Sequence, residues 1–194
     1  MHGRVPLAAR SRREIARAIA LVPQDTAVPF PYSVTELVLM GRAPYLGWLG
    51  FETAADRSLA AAALERLGIA GLAARSVLEL SGGERQLVAI ARALVQEAPV
   101  LLLDEPAAHL DLARRVELRS LLRALAAEGR TVVLVSHDLA AAAAMADRVA
   151  LLANGRVEAV GPPSEVLVPA HVLAAFGVAA RWIETEAGPL LRPE

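Results

Sequence analysis

The sequence predicts an α/β fold in which a partial parallel sheet is flanked by helices, and three observations predict it. "VLLLD" (Val100–Asp104) and "TVVLVSHD" (Thr131–Asp138) are continuous apolar runs closed by polar residues, the pattern of strands buried on both faces. Between them Leu112–Ala127 has the spacing of an amphipathic helix, with Gly129 where a helix ends. Strand, helix and strand at this spacing imply a right-handed parallel crossover.

The remaining elements follow in chain order. Ser11-Arg-Arg-Glu14 reads as a capping box opening a short helix. The apolar run Ala18–Val22 follows as a strand closed by Pro23-Gln24. Pro29 and Pro31 then break the chain. Val34–Gly41 and Ala54–Leu67 have helical spacing on either side of "APYLGWLGF", so residues 25–75 read as a helical insertion between sheet elements. Ser81-x-x-Glu84 is a second capping box, followed by the apolar pattern of a helix. Arg148–Ala153 and Arg156–Val160 flank Asn154-Gly155, a two-residue hairpin signal. The end of the chain, with Pro162, Pro163 and Pro169, reads as a short helical tail.

Composition narrows the function. A net charge of -1 offers no global basic field, which argues against nucleic acid as a partner. Hydrophobic residues reach 55%, yet the longest charge-free run, Val166–Ala180, is interrupted by Pro169, His171 and Gly177 and is too short to span a bilayer. Much of the apolar content is alanine, a helix former. With no cysteine, disulfides and thiolate metal sites are excluded. The first residues lack the apolar core of a secretion signal, so a cytoplasmic address is expected.

Chemistry concentrates in a few places. Asp104 and Glu105 stand at the carboxyl end of an apolar strand, where open α/β sheets bind ligands. An acid there can hold Mg²⁺ against nucleotide phosphates, and its neighbour can polarise an attacking water. The plainer alternative is a strand that merely ends in polar residues. "LSGGERQ" places Gly82 and Gly83 behind the capping serine, leaving backbone N–H groups unshielded at a helix N-terminus, a natural anion site. Its alternative is an ordinary helix cap. His137 follows the second apolar strand and could meet a terminal phosphate, or simply end a strand. Gln24 follows the first strand, as a turn residue or as an amide that ligates Mg²⁺ or orients water. His2, His109 and His171 carry no specific signal.

The order Gln24, LSGGERQ, LLLDEP, Leu110-Asp111 and Ser136-His137 resembles the ATP-binding subunit of ABC transporters, over a span from about Gly3 to at least Pro163. The resemblance implies a P-loop ATPase fold with ATP and Mg²⁺ as cofactors. By it Gln24 is the Q-loop glutamine, and Ser81, Gly82, Gly83, Glu84 and Gln86 belong to the motif that reaches a partner's nucleotide. Asp104 is the metal acid, Glu105 the catalytic base, Asp111 the D-loop aspartate and His137 the switch histidine. Implied partners are integral-membrane permease subunits docked on residues 25–75, a second ATP-binding subunit in a head-to-tail dimer, and a substrate-binding protein acting through the permease. The implied location is the inner face of the cell membrane. "SRREIARAIALVPQ", "FPYSVTELVLMGRAPYLG" and "GPPSEVL" resemble importers of iron-siderophore, haem or cobalamin type.

One departure stands out. A phosphate loop reads G-x-x-x-x-G-K-[ST], and this chain has no lysine: all 20 of its basic residues are arginines. The residues before Gln24 are too few for a further βαβ unit of about 30 residues. The expectation is therefore a single incomplete domain over residues 1–194: helical subdomain 25–75, motif-bearing region 76–163 and tail 164–194. It is expected to lack the first strands and the phosphate loop, and to be inactive alone. The alternatives are a degenerate module that supplies only its LSGGERQ motif to a partner, and an ABC ATPase of DNA repair or translation.

Overall fold

The computed structural model describes residues 6–47, 50–108, 110–185 and 188–193. His2, His109 and the Trp48-Leu49 part of "APYLGWLGF" lie outside the described residues. The chain divides into two compact units, Met1–Val135 and Ser136–Glu194.

Four short helices of the first unit start by one device. Ser11, Ser33, Thr53 and Ser81 each accept a hydrogen bond from the backbone N–H three residues on, and the acid there reaches back to the capping N–H. These boxes open α1 (Arg12–Ala18), α2 (Val34–Leu39), α3 (Ala54–Arg66) and α4 (Gly82–Leu94). Asp111 caps α5 (Leu112–Ala127) by accepting from Arg114 N at 2.8 Å. The helical insertion read over residues 25–75 is present as α2, a 3-10 turn at Met40–Arg42, and α3.

β1 (Ile19–Val22), β2 (Val100–Asp104) and β3 (Thr131–Val135) form a parallel sheet in the order β1-β2-β3. The register sets Leu21 beside Leu102 and Leu102 beside Val133. α4 packs on β1, α2 and α3, while α5 packs on β3. Ala20, Val22, Leu101 and Leu103 are buried on one side of the sheet.

The expectation of strands buried on both faces is corrected by the opposite side. There Leu21 and Val135 are each 57% exposed and Val133 is 45% exposed. Among the described residues of this unit one face of the sheet has a helical layer, so alternate side chains of β3 remain in solvent. The strand also ends at Val135, short of the Thr131–Asp138 run read from the sequence.

A polar knot joins the insertion to the C-terminal end of α4. Arg42 donates to Asp56 Oδ1 (2.7 Å), Val95 O (2.7 Å) and Glu97 Oε2 (2.6 Å). Its guanidinium lies 4.3 Å from the Tyr45 ring centroid, and the Tyr45 hydroxyl donates to Gln96 O at 2.9 Å. Hydrogen bonds from Thr53, then from Arg42, hold the Asp56 carboxyl down at about 2.

In the second unit β4 (Val149–Ala153) and β5 (Arg156–Gly161) pair around Asn154-Gly155. Both turn residues have positive φ, 49° and 73°, as a tight hairpin with the right-handed strand twist requires. α6 (Leu139–Met145), α7 (Pro163–Val166) and α8 (Pro169–Phe176) accompany them. Leu151, Val166, Leu167, Val172 and Ala180 form this unit's buried cluster.

The helical tail read from the sequence is corrected here. α8 stops at Gly177 (φ 69°), and β6 (Ala180–Thr185) pairs with β7 (Gly188–Pro193) as an antiparallel hairpin. The left-handed residue ends the helix. The Trp182 indole N–H then donates to Leu167 O at 2.9 Å, fixing the strand that follows.

Candidate functional site

The carboxyl edge of the parallel sheet gathers one group of predicted residues. Val22 and Leu103 are register partners, so Gln24 and Glu105 each lie two residues beyond that pair, on neighbouring strands. Gln24 is exposed, while Asp104 and Glu105 are half-buried. Glu105 has a φ of 45°, which a non-glycine residue adopts only at a cost. Its backbone N–H donates to Val135 O (3.0 Å) and its carbonyl accepts from Ala108 N (3.1 Å). The strained turn follows directly on β2, at the carboxyl edge of the sheet where open α/β sheets bind ligands.

Asp104 and Gln24 offer one carboxylate and one amide oxygen at this edge. That donor set suits Mg²⁺, which takes one or two protein oxygens and completes its shell with water and phosphate. Among the described residues no cluster of three or more His, Cys, Asp or Glu forms a metal cage.

A second group sits on a different element, the N-terminus of α4. The amides of Gly82 and Gly83 fall in the first turn, where no intrahelical acceptor exists. Glu84 is turned back onto the cap: Ser81 N donates to its Oε2 at 2.8 Å, and Arg75 lies 3.8 Å from its Oε1. The Ser81 backbone and hydroxyl bonds hold the Glu84 carboxyl below its ordinary range. Gln86 is only 1% exposed, and neither end of its amide has a hydrogen-bond partner among the described residues. A buried amide left unsatisfied costs about 1–3 kcal/mol.

Asp111 is exposed and occupied as the cap of α5. His137 belongs to the second unit, two residues beyond the end of β3, and its side chain is exposed. His171, which carried no functional signal, is hydrogen-bonded to Val166 O at 3.0 Å within its own unit.

Two features of this region escaped the sequence reading. The positive φ of Glu105 leaves no mark in composition. The Arg42 network pairs residues far apart in the chain, although two more capping boxes, Ser33/Glu36 and Thr53/Asp56, were readable.

The chain is similar to known proteins. The profile of the ABC transporter family matches residues 2–108. A hemin import ATP-binding protein of Streptomyces coelicolor is 51% identical over 166 residues, 86% of this chain and 58% of its own length. A cobalamin import ATP-binding protein of Halobacterium salinarum is 46% identical over 87% of this chain and 42% of its own length. This chain thus spans about half the length of these two relatives. A hemin import ATP-binding protein of Burkholderia ambifaria is 42% identical, covering 97% of this chain and 74% of its own length. Among solved structures, an inward-facing metal-chelate type ABC transporter superposes with a TM-score of 0.82 at 32% identity, covering 91% of this chain and 71% of its own.

Proposed function

This chain belongs to the ABC transporter family, and on that premise we propose that it is the ATP-binding subunit of an importer for haem, an iron-siderophore or cobalamin. The observation that carries this reading is the pairing of Gln24 with Asp104-Glu105 beyond the carboxyl ends of β1 and β2, with an open helix N-terminus at Ser81–Gly83 on another element. The import substrates are supported by the phrases shared with that group and by relatives named for hemin and cobalamin import.

In this reading Asp104 and Gln24 hold Mg²⁺, which neutralises phosphate charge when bound. Glu105 accepts a proton from the water whose oxygen bonds to the terminal phosphorus as the bond to the ADP oxygen breaks. His137 steadies the terminal phosphate. Gly82 and Gly83 direct their first-turn amides, with the Ser81 hydroxyl, at a nucleotide held by a second ATP-binding subunit in a head-to-tail pair. Glu84 and Gln86 support that turn, and Asp111 lies at the same junction. Residues 25–75 dock on a membrane permease that receives substrate from a binding protein. The chain then sits at the inner face of the membrane; among the described residues no helix is long and apolar enough to cross it.

The chain carries no G-x-x-x-x-G-K-[ST]. It therefore supplies the metal acid, the base and the partner-facing helix end, while the phosphate cradle must come from elsewhere. That absence favours a second reading, a non-catalytic module that lends only Ser81–Gly83 to a complete partner. Glu105 separates the two. In the assembled transporter Glu105→Gln should lower ATP turnover at least about 100-fold if this chain is catalytic. Unchanged turnover would leave the module reading standing instead.

A further inference from the structure

The peptide group that precedes the Gly82-Gly83 turn is held at both of its ends. It presents the Leu80 carbonyl on one side and the Ser81 N–H on the other. Arg85 Nη1 donates to that carbonyl at 2.5 Å, while the N–H donates to Glu84 Oε2 at 2.8 Å. Two consecutive side chains of α4, opposite in charge, therefore fix the plane of a peptide that lies before their own helix. Leu80, 4% exposed, anchors the same peptide in the core.

Helix stability does not account for Arg85. A capping box suffices to start α1 and α2, which carry Ile15 and Leu37 at the equivalent place. Arg57 stands there in α3 and donates no such bond among the described residues. A guanidinium folded back onto a helix N-terminus also opposes the helix dipole. The device recurs on α5, where Arg115 Nε donates to Leu110 O at 2.9 Å across the Asp111 cap. Leu-Ser-x-x-x-Arg and Leu-Asp-x-x-x-Arg thus build the same strap at the two helix starts that carry Ser81 and Asp111. These starts are neighbours: Leu87 of α4 and Arg114 of α5 line one cavity of about 270 Å³, and the Arg114 charge helps to lower the Glu84 pKa.

What the strap does follows from the two glycines. Lacking a Cβ, Gly82 and Gly83 leave the backbone after Ser81 free to take many conformations. Fixing the peptide before them removes part of that freedom in advance, and a pre-ordered turn binds with a smaller loss of entropy.

We infer that Arg85 is a positioning residue for ATP turnover: by holding the Leu80–Ser81 peptide it keeps the Ser81–Gly83 turn in the orientation that meets a partner subunit's nucleotide. The inference rests on the reading of that turn given above, and it holds whether this chain is catalytic or lends only its helix end. Arg85 acts through the turn, since its guanidinium is already occupied by Leu80.

The test is ATP hydrolysis by the membrane-assembled transporter, measured over a range of ATP concentrations with Mg²⁺. Arg85→Met keeps the long stem and removes every side-chain donor. It should raise the KM for ATP about tenfold and leave kcat within about twofold, as when a binding contact is loosened and no reacting group is lost. Arg85→Lys, which retains a donor, should recover most of that affinity. Loss of folded subunit would lower the apparent kcat and leave KM where it was, so KM separates positioning from stability.

An unchanged KM for Arg85→Met, or a rise as large for Arg85→Lys as for Arg85→Met, would overturn the inference. Ser81→Ala provides the independent arm. If Ser81→Ala raises KM while Arg85→Met does not, the inference fails and the reading of the turn survives. If Ser81→Ala leaves both constants at their wild-type values, the turn does not meet nucleotide and both fail.

Discussion

The two ends of α4 are built by opposite means. At the N-terminus the cap is local: Ser81 and Glu84 cap each other across three residues, and two glycines leave first-turn amides open. At the C-terminus the side-chain bonds are long-range. Gly41, Arg42 and Tyr45 come from the insertion, Gln96 reaches α1, and Glu97 turns with a φ of 52° to meet Arg42. The difference separates two tasks. The local end leaves its first-turn amides without intrahelical acceptors, while the assembled end ties the insertion to α4.

Four changes sharpen that contrast, in falling order of expected effect. Arg42→Met strips the assembled end of its hub and should cost roughly 3 kcal/mol, as loss of one member of a buried polar network does. A lower urea midpoint at unchanged slope is the expected record; an unaltered midpoint would show that the clamp is ornamental. Gly41→Ala places a methyl group onto the Arg92 carbonyl and should cost about 1–3 kcal/mol through overpacking, read by calorimetry. Ser81→Ala removes only a cap, worth about 1 kcal/mol. Its effect on ATP turnover in the assembled transporter should exceed what that small loss explains.

The fourth change is in pH. Asp56 has a folded pKa of about 2, depressed from the ordinary aspartate value, chiefly by Thr53 and also by Arg42. A depressed carboxyl stabilises the fold fully above the unfolded value near 4, and that contribution fades as pH falls from about 4 toward 2. Urea midpoints measured across that window should fall less steeply for Asp56→Asn than for wild type. Parallel curves would remove Asp56 from the account.

The same contrast explains what was legible in the sequence. Ser11, Ser81 and Asn154-Gly155 announce themselves because capping and hairpin rules act within a few residues. Gln24, Asp104, Glu105 and His137 were singled out by their order along the chain, and β1 and β2 bring the first three to one sheet edge. The exposure of Val133 and Val135 was not readable, because a continuous apolar run says nothing about how many layers cover it. The β6–β7 hairpin was missed because three prolines before it suggested helix starts, while the strand depends on Gly177 and on the Trp182 bond to Leu167.

The central proposal is that this chain contributes the acids, the glutamine and the partner-facing helix end of an ATPase site, without the G-x-x-x-x-G-K-[ST] phosphate loop. Steady-state ATP hydrolysis by the purified 194-residue chain, with Mg²⁺ present, tests it most directly. The account predicts no turnover above background, with Glu105→Gln indistinguishable from wild type. Turnover by the chain alone that Glu105→Gln abolishes would contradict it.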